Sequence, residues 1–408
     1  MIIGFTGPFC TANFGDWAML VNNIFDFGLD NKFVIFTYSN SFPHNVIDHY
    51  FKDDNISIVE VKTNDDNQSF ESLTPLDLLT AIANKKELTD IISSLDVLVV
   101  SGGGWIDDSW CKRTTKFFKV SAPIIFATQL KIPIRFMAQG VGPVNDMEDT
   151  FRLFLNYMSN DTVFTLRDKY CSPVFLRAVL NNLYSIQYLP DDLAFIHTSL
   201  VPHDRCILNG MNSPYVVLVI NDEVAVFKER IKEFQMFCEM LQDKYKYRVV
   251  LLPFDLVWFG EEQSIMLNKL LPNSILIDIN KKKFVSIEDT LSIIGGADLV
   301  LTGRHHAAVV AMQTHTPFII KLDNNRHDYA YNKAHGVFSM FTENIEYDET
   351  IFIKNEWKEV FELVENHCKL IISSQRSLFH QKKYEENRKQ LYQRRIEYIQ
   401  KIKTITNK

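Results

Sequence analysis

The densest chemistry in the sequence lies at Leu299-Val300-Leu301-Thr302-Gly303-Arg304-His305-His306-Ala307-Ala308, where an apolar run breaks at Gly303 and a small-residue helix follows almost at once. The first amides of such a helix, together with its dipole, favour an anion. Arg304 adds a planar guanidinium suited to carboxylate or phosphate. His306 can serve as a general acid near neutral pH. A structural reading of the same residues has Arg304 paired with a carboxylate at a domain boundary and both histidines capping the helix. Arg and His together, at a strand end that opens a helix, favour the chemical reading.

Three further segments share that strand-end address. Ser101-Gly102-Gly103-Gly104-Trp105 follows an apolar run, and its glycines allow close backbone approach to a ligand, although the spacing is not that of a dinucleotide fingerprint. Asn13-Phe14-Gly15-Asp16 opens the first long helical pattern, where Asp16 taken alone is a cap. Arg167-Asp168 leaves a strand and offers a second guanidinium, although an adjacent Arg-Asp pair is also the make-up of a surface ion pair. Trp105 and Trp110, flanking Asp107 and Asp108, are the candidate sugar-stacking residues; aromatic side chains of this kind are equally at home in cores.

Positioning these segments requires strands. Short Val- and Ile-rich runs without polar alternation occur at 2–6, 33–37, 56–61, 97–101, 134–138, 163–166 and 186–189. The series resumes at 215–220, 248–252, 274–279, 299–302 and 318–321. Such runs predict strands buried on both faces. Amphipathic segments lie between them: Phe227, Ile231, Phe234, Phe237 and Leu241 share one helical face. The alternation predicts an α/β protein of two Rossmann-like domains facing a cleft, with ligands beyond the carboxyl ends of the strands. The expected divisions are 1–204, 205–374 and a basic amphipathic helix over 375–408. In that tail Tyr392, Ile396 and Ile399 fall on one face amid Lys382, Lys383, Arg388, Lys389, Arg394 and Arg395. A helix packed on the body is one reading; peripheral attachment to an anionic membrane surface is the other.

Composition narrows the function classes. With 43 Lys plus Arg against 50 Asp plus Glu, the net charge of −7 argues against a nucleic-acid binder, which would need a basic surplus. A pocket can still be locally positive, so an anionic small molecule remains compatible. No apolar stretch reaches the roughly 20 residues of a membrane span, and the Met1-Ile2-Ile3-Gly4 start lacks a basic signal region, so a cytoplasmic protein is expected. The six cysteines show no paired spacing; buried, reduced thiols are expected, and neither a metal nor a cofactor. Oligomeric state is not readable.

Taken in order, these pieces resemble the polysaccharide pyruvyl transferase family. Asn13-Phe14-Gly15-Asp16-Trp17-Ala18 is similar to that family's N-x-G-D-x-A element, Gly102-Gly103-Gly104 to its triple-glycine loop, and Gln139-Gly140-Val141-Gly142-Pro143 to its G-Q-G-x-G-P element with Ala138 in the first place. Arg167-Asp168 with Ser172 is similar to R-D-x-x-S with one residue more before the serine, Asp192-Leu193-Ala194-Phe195 matches D-x-A-F, and Gly303-Arg304-His305-His306 matches the R-x-H helix start. The resemblance implies a GT-B-like fold and transfer of pyruvate from phosphoenolpyruvate, a co-substrate, onto two hydroxyls of one sugar as a ketal. It implies His306 as acid, and Arg304, Arg167, Gly303, His305, Arg326 and His327 around the donor. It leaves Asn13, Asp16, Gly102, Gly103, Gly104 and Trp105 for the acceptor or its loops. The chain departs from the pattern at His305, where a hydrophobic residue is usual, and at Asn324-Asn325-Arg326-His327, where a histidine replaces a usual lysine. A nucleotide-sugar glycosyltransferase and a non-catalytic member of an envelope-polymer assembly complex are the alternatives.

Overall fold

A computed structural model describes residues 1–9, 13–39, 44–51, 55–64, 80–112, 114–159, 161–180, 185–202, 213–254, 260–279, 283–322 and 335–405. Two wholly parallel sheets organise the chain. The first holds β1 (Ile2–Thr6), β2 (Lys32–Thr37), β3 (Ile56–Glu60), β4 (Val97–Val100), β5 (Gly103–Ile106), β6 (Ile134–Phe136), β7 (Gln139–Val141), β8 (Val163–Leu166) and β9 (Ser185–Tyr188). Their order is β3-β2-β1-β4-β6-β8-β7-β5, with β9 paired to β8. The second holds β10 (Tyr215–Val219), β11 (Arg248–Leu251), β12 (Ile275–Leu276), β13 (Leu299–Thr302), β14 (Phe318–Lys321) and β15 (Ile353–Lys354), in the order β12-β11-β10-β13-β14-β15.

The second order is the doubly wound one, reversing direction between β10 and β13. The first sheet starts the same way and reverses between β1 and β4. In doubly wound sheets, ligands sit beyond the carboxyl ends of the strands at such a reversal. β4, β10 and β13 are buried along their whole length, so their unbroken Val/Leu runs satisfy both faces.

Contacts divide the chain into two units. Unit 1 comprises Met1–Thr11, Met19–Asp192 and Gln390–Lys408; unit 2 comprises Ala12–Ala18 and Leu193–Lys389. The principal division thus falls at 192/193, where the sequence suggested about 205. The first turn of the Phe14–Phe27 helix also belongs to unit 2. Phe14 secures it there: its amide donates to the Phe254 carbonyl at 2.8 Å, and its ring lies 4.6 Å from that of Phe254. Trp17 packs edge-on against Phe284.

The predicted strands all appear, within one to three residues at their ends. Three were not predicted: β5, β7 and β15. The tail folds as two helices, Trp357–Phe379 and Lys382–Lys403. In the second, Tyr384, Leu391, Tyr398, Ile399 and Ile402 are buried, whereas Tyr392 is 47% exposed. Arg395, counted from sequence among the solvated cations, is 1% exposed and faces inward. Among the described residues no helix is long and apolar enough to cross a membrane. Cys111, Cys171, Cys238 and Cys368 are buried, as predicted; burial pushes the Cys111 and Cys368 thiols up to about 12 and about 11.

Candidate active site

In unit 2 the segment singled out from sequence lies at the β10/β13 reversal, beyond the end of β13. Gly303 closes β13: its amide donates to the Val219 carbonyl at 2.9 Å. A Cβ at Gly303 would stand 3.2 Å from that of Asn221, so a side chain there would need this neighbour to shift slightly. The helix His305–Thr314 starts two residues later, and its N-cap residue, Arg304, makes no side-chain cap bond. Thr302 organises the turn instead, accepting from the Arg304 amide at 2.8 Å and donating to the Arg304 carbonyl at 3.0 Å. Its first-turn amides are therefore oriented as an anion receptor. Gly303, Arg304, His305 and His306 are each partly exposed, while Ala307 to Met312 are buried.

The two histidines have different neighbours. His305 walls a small apolar cavity of about 10 Å³ with Ala308, Met312, Phe318, Ile320 and Phe338. It thus partly fills the place a hydrophobic side chain would take. The ring of His306 lies directly on Gly15; any Cβ there would fall within the imidazole. The N-terminal segment and the His306 turn, almost three hundred residues apart, are therefore one feature of unit 2. Asn13 and Asp16 belong to it, joined by an Asn13 Nδ2 to Asp16 Oδ2 bond of 2.9 Å. Asp16, read alone as a cap, is thus tied to the turn that carries Gly15.

Around the same strand ends sits a polar set that the sequence did not disclose. Lys321, at the end of β14, pairs with Asp222, beyond β10, at 2.8 Å, with side chains only 10% and 4% exposed. Gln263 holds the Asp222 backbone through both its amide and its carbonyl. The only local signal was Asn221-Asp222 directly after an apolar strand. Arg326 and His327 lie outside the described residues.

Unit 1 carries the glycine segment and Arg167. The supposed loop is a break between two short strands: Gly102 lies in the break, while Gly103 and Gly104 start β5, which pairs with β7. Trp105 is fully buried against Phe117 and Phe154. An indole without accessible surface cannot stack on a sugar, so Trp105 is a core residue here rather than an acceptor contact. Asp107 caps a short helix, accepting from the Trp110 amide at 2.9 Å, and Asp108 accepts from the amides of Asn145, Asp146 and Met147. These carboxylates are occupied in holding backbone.

Arg167 is 1% exposed and bonds to Asp191 at 2.8 Å, not to its neighbour Asp168. Its guanidinium lies over Gly140, within 3.0 Å of where a Cβ would stand. Asp168 is occupied by the start of the Ser172–Val179 helix, accepting the amides of Tyr170, Cys171 and Ser172 and the Ser172 hydroxyl. Ser172 Oγ in turn accepts from the Val141 amide at 2.9 Å. The 167–172 and Q-G-V-G-P segments thus interlock. Beside Asp191, Asp192 is fully buried and bonds to Arg395 at 2.7 Å. Burial pushes the Asp192 carboxyl up against the opposing pull of Arg395 and Asn23. Burial also acts to lower the Arg395 guanidinium, but Asp26 and Asp192 outweigh it and raise it.

The fold has counterparts among solved structures. The UDP-GlcNAc 2-epimerase from Neisseria meningitidis bound to UDP-GlcNAc is 12% identical, with 97% of this chain and 99% of that one covered at a TM-score of 0.57. S. aureus MnaA with UDP is 10% identical, covering 98% and 96% at 0.59, and Anabaena Alr3699/HepE with UDP and glucose is 12% identical, covering 96% and 98% at 0.55. At such identities the likeness is one of fold: the GT-B-like α/β class expected from the sequence. No curated protein matches the chain. The family model for polysaccharide pyruvyl transferase matches residues 23–325. This covers about three quarters of the chain and the glycine break, the buried aspartates and the His306 turn; the chain belongs to the polysaccharide pyruvyl transferase family.

Proposed function

We propose that this protein transfers the pyruvyl group of phosphoenolpyruvate to two hydroxyls of one sugar, in a cell-surface polysaccharide or its lipid-linked precursor, giving a cyclic ketal. The observation that carries this reading is the seating of His306 on Gly15 in the first turn of the His305–Thr314 helix. The donor brings a phosphate and a carboxylate close together. The helix amides at Gly303 and beyond, with Arg304, receive that charge. Arg326 and His327 are further cations of the proposal. Arg167, which the family resemblance also assigns to the donor, is committed to Asp191.

His306, protonated, delivers its proton to the methylene carbon of phosphoenolpyruvate. The C=C π pair forms the new C–H bond, and the adjacent carbon becomes an oxocarbenium-like centre. A sugar hydroxyl attacks that carbon and its proton returns to the imidazole. The C–O bond to phosphate then breaks, phosphate leaves with the electron pair, and the second hydroxyl closes the ring. Its proton goes to the departing phosphate. Proton transfer of this kind supplies about 10²–10⁴-fold in rate, and charge stabilisation and positioning supply the remainder. The chemistry needs no cofactor beyond the co-substrate. It runs in the cytoplasm, at the inner membrane face where the acceptor is lipid-linked.

The test is phosphate release from phosphoenolpyruvate with a panel of p-nitrophenyl hexosides and N-acetylhexosaminides. The product should gain the mass of one pyruvic acid less one water. Release of UDP from UDP-sugars, with no phosphate from phosphoenolpyruvate, would replace this reading with glycosyl transfer, while inactivity toward both donors would favour a scaffolding role.

A further inference from the structure

We propose that Arg395 is a positioning residue, fixing the glycine break between β4 and β5 through Asp192. The proposal rests on the proposed pyruvyl transfer together with the expectation from sequence that Gly102, Gly103 and Gly104 border the acceptor. Its geometry belongs to unit 1 alone. The Arg395 fork divides its donors: Nη1 bonds to Asp192 Oδ1 at 2.7 Å, Nε and Nη2 to Asp26 Oδ2 at 3.0 and 2.7 Å, and Nη2 also to Asn23 Oδ1 at 2.7 Å. Asp192 Oδ2 then accepts from Asn23 Nδ2 at 2.9 Å and from the Gly102 amide at 3.1 Å. Its own backbone carbonyl is held by Asn22 at 2.8 Å.

Two hydrogen bonds therefore join Arg395 to the glycine break, and the carboxylate between them has no freedom to turn. Gly102 is matched to that carboxylate: a Cβ there would stand 2.5 Å from Asp192 Oδ2. An ion pair serving stability alone could turn both oxygens toward the cation. Here one oxygen is reserved for the backbone of the segment at the sheet's reversal point. A buried carboxylate keeps its charge only beside a counter-charge, and only a planar fork reaches Asp26, Asp192 and Asn23 together. Lysine carries its three donors on one nitrogen and lacks the spread of that fork.

The decisive comparison is the full-length wild type against Arg395→Lys, with Asp26→Asn as the second variant. Hydrogen–deuterium exchange of peptides spanning 101–105 should quicken by about tenfold or more in Arg395→Lys while the β1 and β2 peptides keep their protection. With phosphoenolpyruvate and whichever p-nitrophenyl hexoside the wild type accepts, the KM for the hexoside should rise about tenfold and that for phosphoenolpyruvate should not move. Asp26→Asn leaves Arg395 on Asp192 and should match the wild type in both respects. Unchanged exchange over 101–105, equal quickening throughout unit 1, equal opening in Asp26→Asn, or an unmoved hexoside KM would each overturn the proposal. A wild type that releases no phosphate from phosphoenolpyruvate would remove the functional reading alone, and the exchange comparison would still decide the role of Arg395.

Discussion

The His306 turn of unit 2 and the arginine–aspartate cluster of unit 1 use similar residue types to opposite ends. At the His306 turn, Gly303, Arg304, His305 and His306 are all partly exposed, and the N-cap residue of the helix that follows, Arg304, makes no side-chain cap bond. In the cluster, Arg167, Arg395, Asp191 and Asp192 have at most 1% exposure and each guanidinium is committed to a carboxylate. Partly exposed charge at a helix start can be spent on a ligand. Buried, mutually bonded charge is already spent on the fold, where removing one partner strands the other. Substitutions at the first should therefore cost turnover, and at the second, stability.

The largest separation should come from His306→Ala. Phosphate release from phosphoenolpyruvate should fall about 10²–10⁴-fold, while the unfolding free energy from urea titration should change by less than about 1 kcal/mol. A comparable loss of stability would erase the contrast. Arg395→Met should show the reverse, losing about 3–5 kcal/mol in urea unfolding because Asp26 and Asp192 lose their counter-charge. Gly15→Ala tests the contact that seats the imidazole. Displacing the ring by about 1 Å should cost about 100-fold in turnover, and unaltered kinetics would mean that Gly15 does not set the geometry of His306.

The smallest effect belongs to His315, the left-handed cap at the other end of the His306 helix. Burial, then Arg388, holds its imidazole below its ordinary 6.5, against the pull of Glu385, 3.3 Å away. Below that ordinary value the unfolded chain takes up the proton first, so stability present above pH 6.5 is lost as pH falls toward the lowered folded value. His315→Asn, which suits the left-handed cap, should flatten this part of the stability–pH curve between pH 7.5 and 5.5, the measurement being the melting temperature at each pH. The pH profile of phosphate release should stay as it is in the wild type.

Much of this was legible from sequence because it is local. Val-rich runs gave twelve strands, and Gly303-Arg304-His305-His306 is a short-range signal for a strand end and a helix start. What escaped is non-local. β5 and β7 read as glycine loops because their residues lack strand propensity; they become strands by pairing with each other. Asn13 to Asp16 lie next to β1 in sequence but pack in unit 2 through Phe14 and Trp17. Arg395 sits amid cations on a helix, and only the fold reveals that its partners are Asp26 and Asp192, 369 and 203 positions earlier.

That distance has a consequence for biogenesis. Asp26 and Asp192 leave the ribosome long before Arg395 is translated, so unit 1 cannot settle its interior while the nascent chain is still growing. Until then two acidic side chains must stay hydrated or be shielded by a chaperone, and ribosome-bound chains arrested near residue 380 should remain protease-sensitive around both aspartates.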